Sequence, residues 1–313
     1  STLNVLITGG AGYLGSILVP ELVKRNYKVT VIDNFIYRQN SLIELTHFDN
    51  FEIIKGDVRD RELIQKHLKQ ADVIIPLSAL VGFPLCKLNP KLAYEVNYEA
   101  VKFIADIKSD NQAMIFPNTN SGYGIGKDNI YCTEETILNP ISIYSRTKVD
   151  GEKAVLNKPN TMSFRLATVF GCSPKMRLDL LINDFVYRAW SDHYITLFQS
   201  HYKRNYVHIR DVAAAFIWAI ENFDKIKGQV FNLGLSDANL TKLELCMEIK
   251  KQINDFHITL AEIAVDPDMR NYIVSNEKIE KAGFKATISV QQGIKELIKS
   301  FQILSPNAYS NII

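Results

Sequence analysis

A chain of 313 residues, 47% hydrophobic and 22% charged, has the make-up of a globular protein able to bury a full core. Its 36 basic and 34 acidic residues leave a net charge of +2, which excludes nucleic-acid or membrane-surface binding driven by bulk charge. No apolar run approaches the roughly 18 residues of a membrane span. The four cysteines and six histidines fall in no metal-ligand or redox spacing, so no metal site is expected and the cysteines are read as reduced.

The chain enters a strand at LNVLIT (3–8) without the charged-then-apolar layout of a secretory signal, and a cytoplasmic protein is expected. GGAGYLG follows, setting Gly9, Gly12 and Gly15 in G-x-x-G-x-x-G spacing around Tyr13 and Leu14, ahead of an amphipathic stretch at 13–25. Glycine there lets the backbone turn sharply and approach a diphosphate, whose charge sits at the positive end of the helix. The second strand, KVTVID (28–33), ends at Asp33 with Asn34 after it. A carboxylate in that place accepts both hydroxyls of an adenosine ribose and repels the extra phosphate of NADP, so the expected cofactor is NAD. FEIIKG (51–56) leads into GDVRD, which puts Asp57 and Val58 at the adenine. ADVIIPL (71–77) opens onto Leu77, Ser78 and Ala79, expected at the cofactor, and then onto VGFPLC, where Val81 and Gly82 border the second ligand. Ligand loops gather at the carboxyl ends of parallel strands.

AMIFPN (113–118) is the next strand and runs into Thr119, Asn120, Ser121 and Tyr123; MSFRLAT (162–168) follows later. Amphipathic stretches at 61–70, 90–108 and 142–156 alternate with these strands. Strands so nearly all apolar are buried on both faces, and the alternation predicts an α/β fold with a Rossmann-type doubly wound parallel sheet. Past residue 170 the rhythm changes. PKMRLDLLINDFVYRAW predicts a helix, YITLF a strand, DVAAAFIWAIENF a helix and QVFNLG a strand, with short helices to about 302. The expected division is an NAD-binding domain at 1–170 and a smaller C-terminal α/β substrate lobe at 171–313, some of whose segments return to the first. His208 is read as a packed residue.

YSRTK places Tyr144 and Lys148 four apart, on one face of a helix that starts after Pro140. A phenol with a pKa of about 10 is a poor base at neutral pH. A neighbouring ammonium and a positive nicotinamide ring stabilise its phenolate, and the lysine can also hold the nicotinamide ribose.

The glycine turn, Asp33, Thr119 and the Tyr144/Lys148 pair, in this order, resemble the extended short-chain dehydrogenases/reductases, the NAD-dependent epimerase/dehydratase family acting on nucleotide sugars. NYEAVKFI (97–104) is similar to the family's Asn-led helix, FRLATVFG (164–171) to its strand into the substrate lobe, and RNYVHIRDVAAAF (204–216) to its substrate-lobe signature. NLGLSDANLTKLEL (232–245) fits the next strand and helix. The resemblance implies that Thr119, four residues before the tyrosine of the YG pair, and Tyr144 hydrogen-bond the reacting sugar hydroxyl. Tyr144 would take its proton while hydride leaves for NAD, and Thr119 would share the developing charge. It further implies Asn97 at the cofactor, Asn120, Ser121, Arg165 and Thr168 at the sugar, and Arg204 and Arg270 on a diphosphate, which a guanidinium holds through two oxygens at once. Arg177 and Asn183 are further candidates for the nucleotide sugar. A homodimer built on a four-helix bundle of 90–108 and 142–156 is also implied.

Related 4,6-dehydratases place Asp-Glu directly after the threonine, to move the proton beside the ketone. Here Asn120 and Ser121 stand there, and neither transfers protons efficiently at neutral pH. Relatives that epimerise carbons flanking the ketone put cysteine where Ser121 stands. What is left is hydride movement at one carbinol, most often C4, ending in a released keto sugar or in re-reduction from the opposite face. ALVGFPLCKLNPKLA, PNTNSGYGIG, FRLATVFG and MRLDLLINDF resemble bacterial NAD-dependent enzymes that oxidise C4 of a GDP-linked manno-heptose in surface-polysaccharide pathways. That resemblance implies a 4-keto heptose product, NADH leaving the catalytic cycle, and a second oxidant such as a small 2-keto acid. The alternatives are a C4 epimerase and an NAD-binding regulatory protein without turnover; a sensor would need none of Thr119, Tyr144 and Lys148.

Overall fold

The computed structural model of the chain describes residues 3–81, 83–261 and 270–304. Gly82, expected on the sugar side, lies outside the described residues. Apolar runs in the first half form β1 (Asn4–Thr8), β2 (Lys28–Asp33), β3 (Phe51–Lys55), β4 (Val73–Pro76) and β5 (Ala113–Thr119). The later strands are β6 (Tyr131–Cys132), β7 (Thr161–Leu166), β8 (Thr168–Phe170), β9 (Tyr194–Phe198) and β10 (Lys203–His208). They are followed by β11 (Val230–Leu233), β12 (Asn239–Thr241), β13 (His257–Ala261) and β14 (Ile273–Val274).

A seven-stranded sheet runs β11-β7-β5-β4-β1-β2-β3, with every pairing parallel. The strand order reverses between β1 and β4, which is where a doubly wound sheet opens its ligand crevice. Leu6, Ile7, Ile74, Ile75, Ile115 and Phe116 are buried, as a sheet covered on both faces requires. β3 departs from that expectation: Glu52, Ile53 and Lys55 are exposed, because it is an edge strand. β11 comes from beyond residue 171 and returns to the main sheet beside β7, pairing Val230 with Ser163 and Leu233 with Leu166.

The remaining strands build the substrate side as three small sheets: β12-β10-β8, β13-β9 and β14-β6. The last pair has two residues per strand, too short to show a periodicity in sequence. The helix expected from Pro174 begins only at Leu181 and runs to Ser191; Leu180 is still extended, which leaves Lys175–Asp179 as an open strap along the crevice. The stretch expected as one helix at 90–108 is helical from Pro90 to Ile107 but contains a π turn at Glu95–Glu99. Core packing is continuous across the two parts: Phe164 of β7 meets Phe216 of the helix Ile209–Glu221 edge-on at 5.2 Å. Among the described residues no helix is long and apolar enough to cross a membrane.

His208 closes β10 and is fully buried. Its Nδ1 accepts from the Arg210 amide at 3.0 Å, so Nε2 carries the proton and donates to Glu296 Oε1 at 3.0 Å. Burial, reinforced by the Arg210 guanidinium and opposed by Glu296, pushes its pKa down to about 4. In the unfolded chain a histidine titrates near 6.5, so as pH falls from there toward 4 the unfolded state takes up a proton that the folded state refuses. Stability therefore drops through that window. The urea midpoint is expected to fall between pH 7 and pH 5, and His208→Gln to flatten that slope.

Candidate active site

The carboxyl ends of β1, β2, β4, β5 and β7 open onto a cleft of about 760 Å³. Gly9 has φ +70°, and a Cβ on it would lie 2.5 Å from the Ser78 amide nitrogen; a Cβ on Gly15 would run into the Gly10 carbonyl. Only bare backbone lets the turn after β1 lie against the turn after β4. Gly9, Gly12, Tyr13, Leu14 and Gly15 border the cleft at the start of the helix Gly15–Lys24, where amide groups point outward. Asp33 ends β2 at the same rim. Its Oδ2 accepts from the Ala11 amide at 3.0 Å and its Oδ1 from the Phe35 amide at 2.8 Å. Burial pushes its pKa up and these two N–H groups hold it back. Asn34, Asp57, Val58, Leu77, Ser78, Ala79 and Val81 continue the same wall. The Arg59 guanidinium, 2.7 Å from Asp57, holds that carboxyl below its ordinary range. A glycine cradle with a ribose-accepting carboxylate fits NAD.

Across the cleft stands the helix Ile143–Leu156. Ser142 caps it, its Oγ accepting from the Ser145 amide at 3.1 Å, which frees Tyr144 and Lys148 to project one turn apart. Ser145 Oγ also lies 2.8 Å from Ser142 Oγ and donates to Ser121 Oγ at 2.8 Å. Thr119 ends β5, and its Oγ1 accepts from the Ser121 amide at 3.1 Å. Thr119, Ser121, Tyr144 and Lys148 all face the cleft. The Lys148 ammonium sits 4.5 Å from the centre of the Phe116 ring. Burial pushes its pKa down to about 7 against the opposing influence of Cys86 and Glu152. Burial raises the Tyr144 phenol, and the strongest pull in the other direction comes from Arg177.

Thr168, Arg177, Arg204 and Arg270 line the substrate side. The buried Thr168 hydroxyl has no hydrogen-bond partner among the described residues. Arg177 pairs with Asp179, Nε to Oδ1 at 3.1 Å.

Four expected ligand contacts lie elsewhere. Arg165 does not reach the cleft; it is spent on Glu152, 2.9 Å away, and on Tyr123. Asn183, fully buried, accepts from the Gly171 amide and donates to the Arg177 carbonyl, bracing the strap. Asn97 is tied to both backbone groups of Leu80 and to Thr147, so it ties the cleft-lining loop after β4 to the helix Ile143–Leu156 and does not itself line the cleft. Asn120 is buried beside Thr119 but does not line the cleft, and its side-chain amide has no partner among the described residues. Tyr37, Lys175 and Asp179 do line the cleft and were not singled out from the sequence. Asp179 was readable, two residues from Arg177 in RLD; nothing in the spacing of Tyr37 and Lys175 announces their meeting.

A glycine-cradled dinucleotide turn and a Tyr–Lys pair facing one cleft define a Rossmann-type NAD-binding oxidoreductase centre. More narrowly, the chain belongs to the NAD dependent epimerase/dehydratase family, whose model matches residues 5–234. It is 25% identical to a putative UDP-glucose 4-epimerase of Methanocaldococcus jannaschii over 94% of this chain and 97% of that one. It is 27% identical to UDP-glucuronic acid decarboxylase 1 of Arabidopsis thaliana over 96% of this chain and 70% of that one. Among solved structures, UDP-glucose 4-epimerase of Thermotoga maritima superposes with a TM-score of 0.82 at 23% identity, covering 96% of this chain and 99% of that one. dTDP-glucose 4,6-dehydratase of Bacillus anthracis, in complex with NAD, gives 0.83 at 21% identity, covering 98% and 99%.

Removing the Arg177 guanidinium leaves burial to push the Tyr144 phenol further up. Arg177→Met is expected to move the acidic limb of the kcat/KM–pH profile to higher pH, a displacement that lost substrate affinity alone does not produce.

Proposed function

We propose that this protein oxidises C4 of a nucleotide-linked sugar to the ketone. The observation that carries the reading is the company Thr119 and Tyr144 keep in the cleft. Both hydroxyls and Lys148 are present, while Ser121, hydrogen-bonded to Ser145, stands where a dehydration would want an acid. NAD, when bound, supplies the hydride acceptor and a positive ring that favours the Tyr144 phenolate. Tyr144 takes the proton of the C4 hydroxyl as the C4–H bond gives up its hydride, and Thr119 holds the same oxygen. Lys148 stabilises the phenolate from one turn along the helix. Arg204, Arg270 and Arg177 offer guanidinium groups to the diphosphate, and the unpartnered Thr168 hydroxyl offers a contact to the sugar.

The sequence resemblance described above makes GDP-linked manno-heptose the preferred substrate, in surface-polysaccharide synthesis, with a 2-keto acid as the second oxidant and a homodimeric, cytoplasmic enzyme. Several relatives act by name on UDP-linked sugars and are 4-epimerases; re-reduction of the ketone from the opposite face is therefore the second reading.

Tyr144→Phe is expected to lower turnover by about 10²- to 10⁴-fold while the protein still retains NAD; near-normal rates would remove Tyr144 as the base. Wild-type enzyme given candidate nucleotide sugars should accumulate NADH and keto sugar. A C4 epimer formed with no net NADH would decide for the epimerase.

A further inference from the structure

We propose that Arg188, on the cleft-facing side of the helix Leu181–Ser191, reads a guanine base, an assignment that rests on the cleft being a nucleotide-sugar site. Leu181, Asp184, Phe185 and Arg188 all line the cleft, at positions i, i+3, i+4 and i+7 of that helix. The spacing sets them in a single stripe about 10 Å long, at 1.5 Å per residue. Ile182, Asn183, Val186 and Ala189, between them in sequence, are buried and hold the helix to the body of the protein. The stripe starts where the strap ends, and the strap carries Arg177, whose charge acts on the Tyr144 phenol. A nucleotide sugar with its reacting carbon at Tyr144 and its diphosphate beside Arg177 leaves its nucleoside for this helix.

Charge decides between phosphate and base. Arg188 Nε donates to both carboxylate oxygens of Asp184, at 3.0 and 3.1 Å. Burial pushes the Asp184 carboxyl up, and Arg188 is the strongest pull in the other direction. The pair is one positive and one negative charge, so it brings no net charge to a diphosphate. What it brings is direction. The guanidinium is gripped at Nε, and among the described residues its two terminal nitrogens meet no hydrogen-bond acceptor. Side by side, those nitrogens match two adjacent acceptors on the edge of a ring. Guanine presents O6 and N7 in that way, adenine pairs N7 with an amino donor, and uracil flanks O4 with an N–H. Phe185, three residues before Arg188, lines the same stretch of the cleft and offers a ring for the base to lie against.

The test measures binding of nucleoside diphosphates to the NAD-loaded enzyme by calorimetry; no sugar is present, so the outcome is independent of the chemistry at C4. Wild type is expected to bind GDP about tenfold or more tighter than UDP. 7-Deaza-GDP, which lacks the N7 acceptor, should lose most of that advantage, and inosine diphosphate, which keeps O6 and N7, should hold it. Arg188→Met is expected to weaken GDP about tenfold or more while UDP changes by no more than about twofold. Arg188→Lys, which keeps the charge and loses the fork, should behave like the Met variant and keeps the test open if that variant does not fold, as judged by its thermal unfolding midpoint. Equal weakening of GDP and UDP in a folded variant would make Arg188 a phosphate contact, and unchanged GDP affinity would leave it a surface ion pair. Either result overturns the assignment, as would a wild type that favours UDP. A wild type that binds none of the nucleoside diphosphates would instead remove the nucleotide-sugar reading itself.

Discussion

Two opposite charges, Glu152 on the helix that bears Tyr144 and Arg165 on β7, meet with side-chain exposures of 3% and 8%. Taking such ions out of water costs several kcal/mol each, and good geometry with every remaining hydrogen-bonding group satisfied is what offsets it. Here the guanidinium reaches the carboxylate through Nε at 3.2 Å and a terminal nitrogen at 2.9 Å, and Ser163 Oγ adds a third donor at 2.7 Å. The other terminal nitrogen goes to the Tyr123 hydroxyl and the Glu134 carbonyl. Tyr123 then donates to Asn232 Oδ1 at 2.6 Å. One network therefore joins the helix bearing Tyr144, the turn after Thr119, β7 and β11. The Thr119 and Tyr144 hydroxyls, proposed above to meet one substrate oxygen, stand on two of the elements this network joins.

The features that sequence reasoning placed well are those whose chemistry is local. Gly9 and Gly15 announce themselves because a side chain would collide with backbone, and Asp33 because it sits at a strand end a fixed distance past the turn. Helical spacing puts Tyr144 and Lys148 on one face, and their order after the glycine turn, Asp33 and Thr119 singles them out. The family resemblance assigned Arg165 and Asn97 to ligands, and Asn183 was a candidate from its place on the helix expected after Arg177, but sequence does not say which buried partner claims a polar group. Glu152 claims Arg165, Leu80 claims Asn97, and the Gly171 turn claims Asn183. Lys175 and Tyr37 meet only because the chain crosses back over the first turn, which no spacing records. The edge position of β3 and the two-residue strands β6 and β14 escaped for a related reason: they are properties of what lies beside a segment.

The segment from Gly171 to Asp179 does several jobs with few residues. It stays irregular, with bends at 174–175 and 178–180, where a helix was expected, and its side chains face different things: Ser173 the glycine turn, Lys175 the ring of Tyr37, and Arg177 and Asp179 the cleft beside Tyr144. A helix would have turned some of these groups away. The Arg177 charge that acts on the Tyr144 phenol is thereby carried by a strap tied to the glycine turn through Ser173 and Tyr13.

The return of β11 to the main sheet sets the order in which this protein can finish folding. β7 ends at Leu166, but its outer neighbour begins only at Val230, after the whole strap, three helices and β8 to β10. During synthesis the ladder groups of β7 on that side have no strand to meet, and an unpaired, apolar edge is an invitation to pair with another chain. The nascent protein therefore passes through an interval in which its best-formed sheet is also its most adhesive surface. That interval closes when Phe231 slides in beside Phe164.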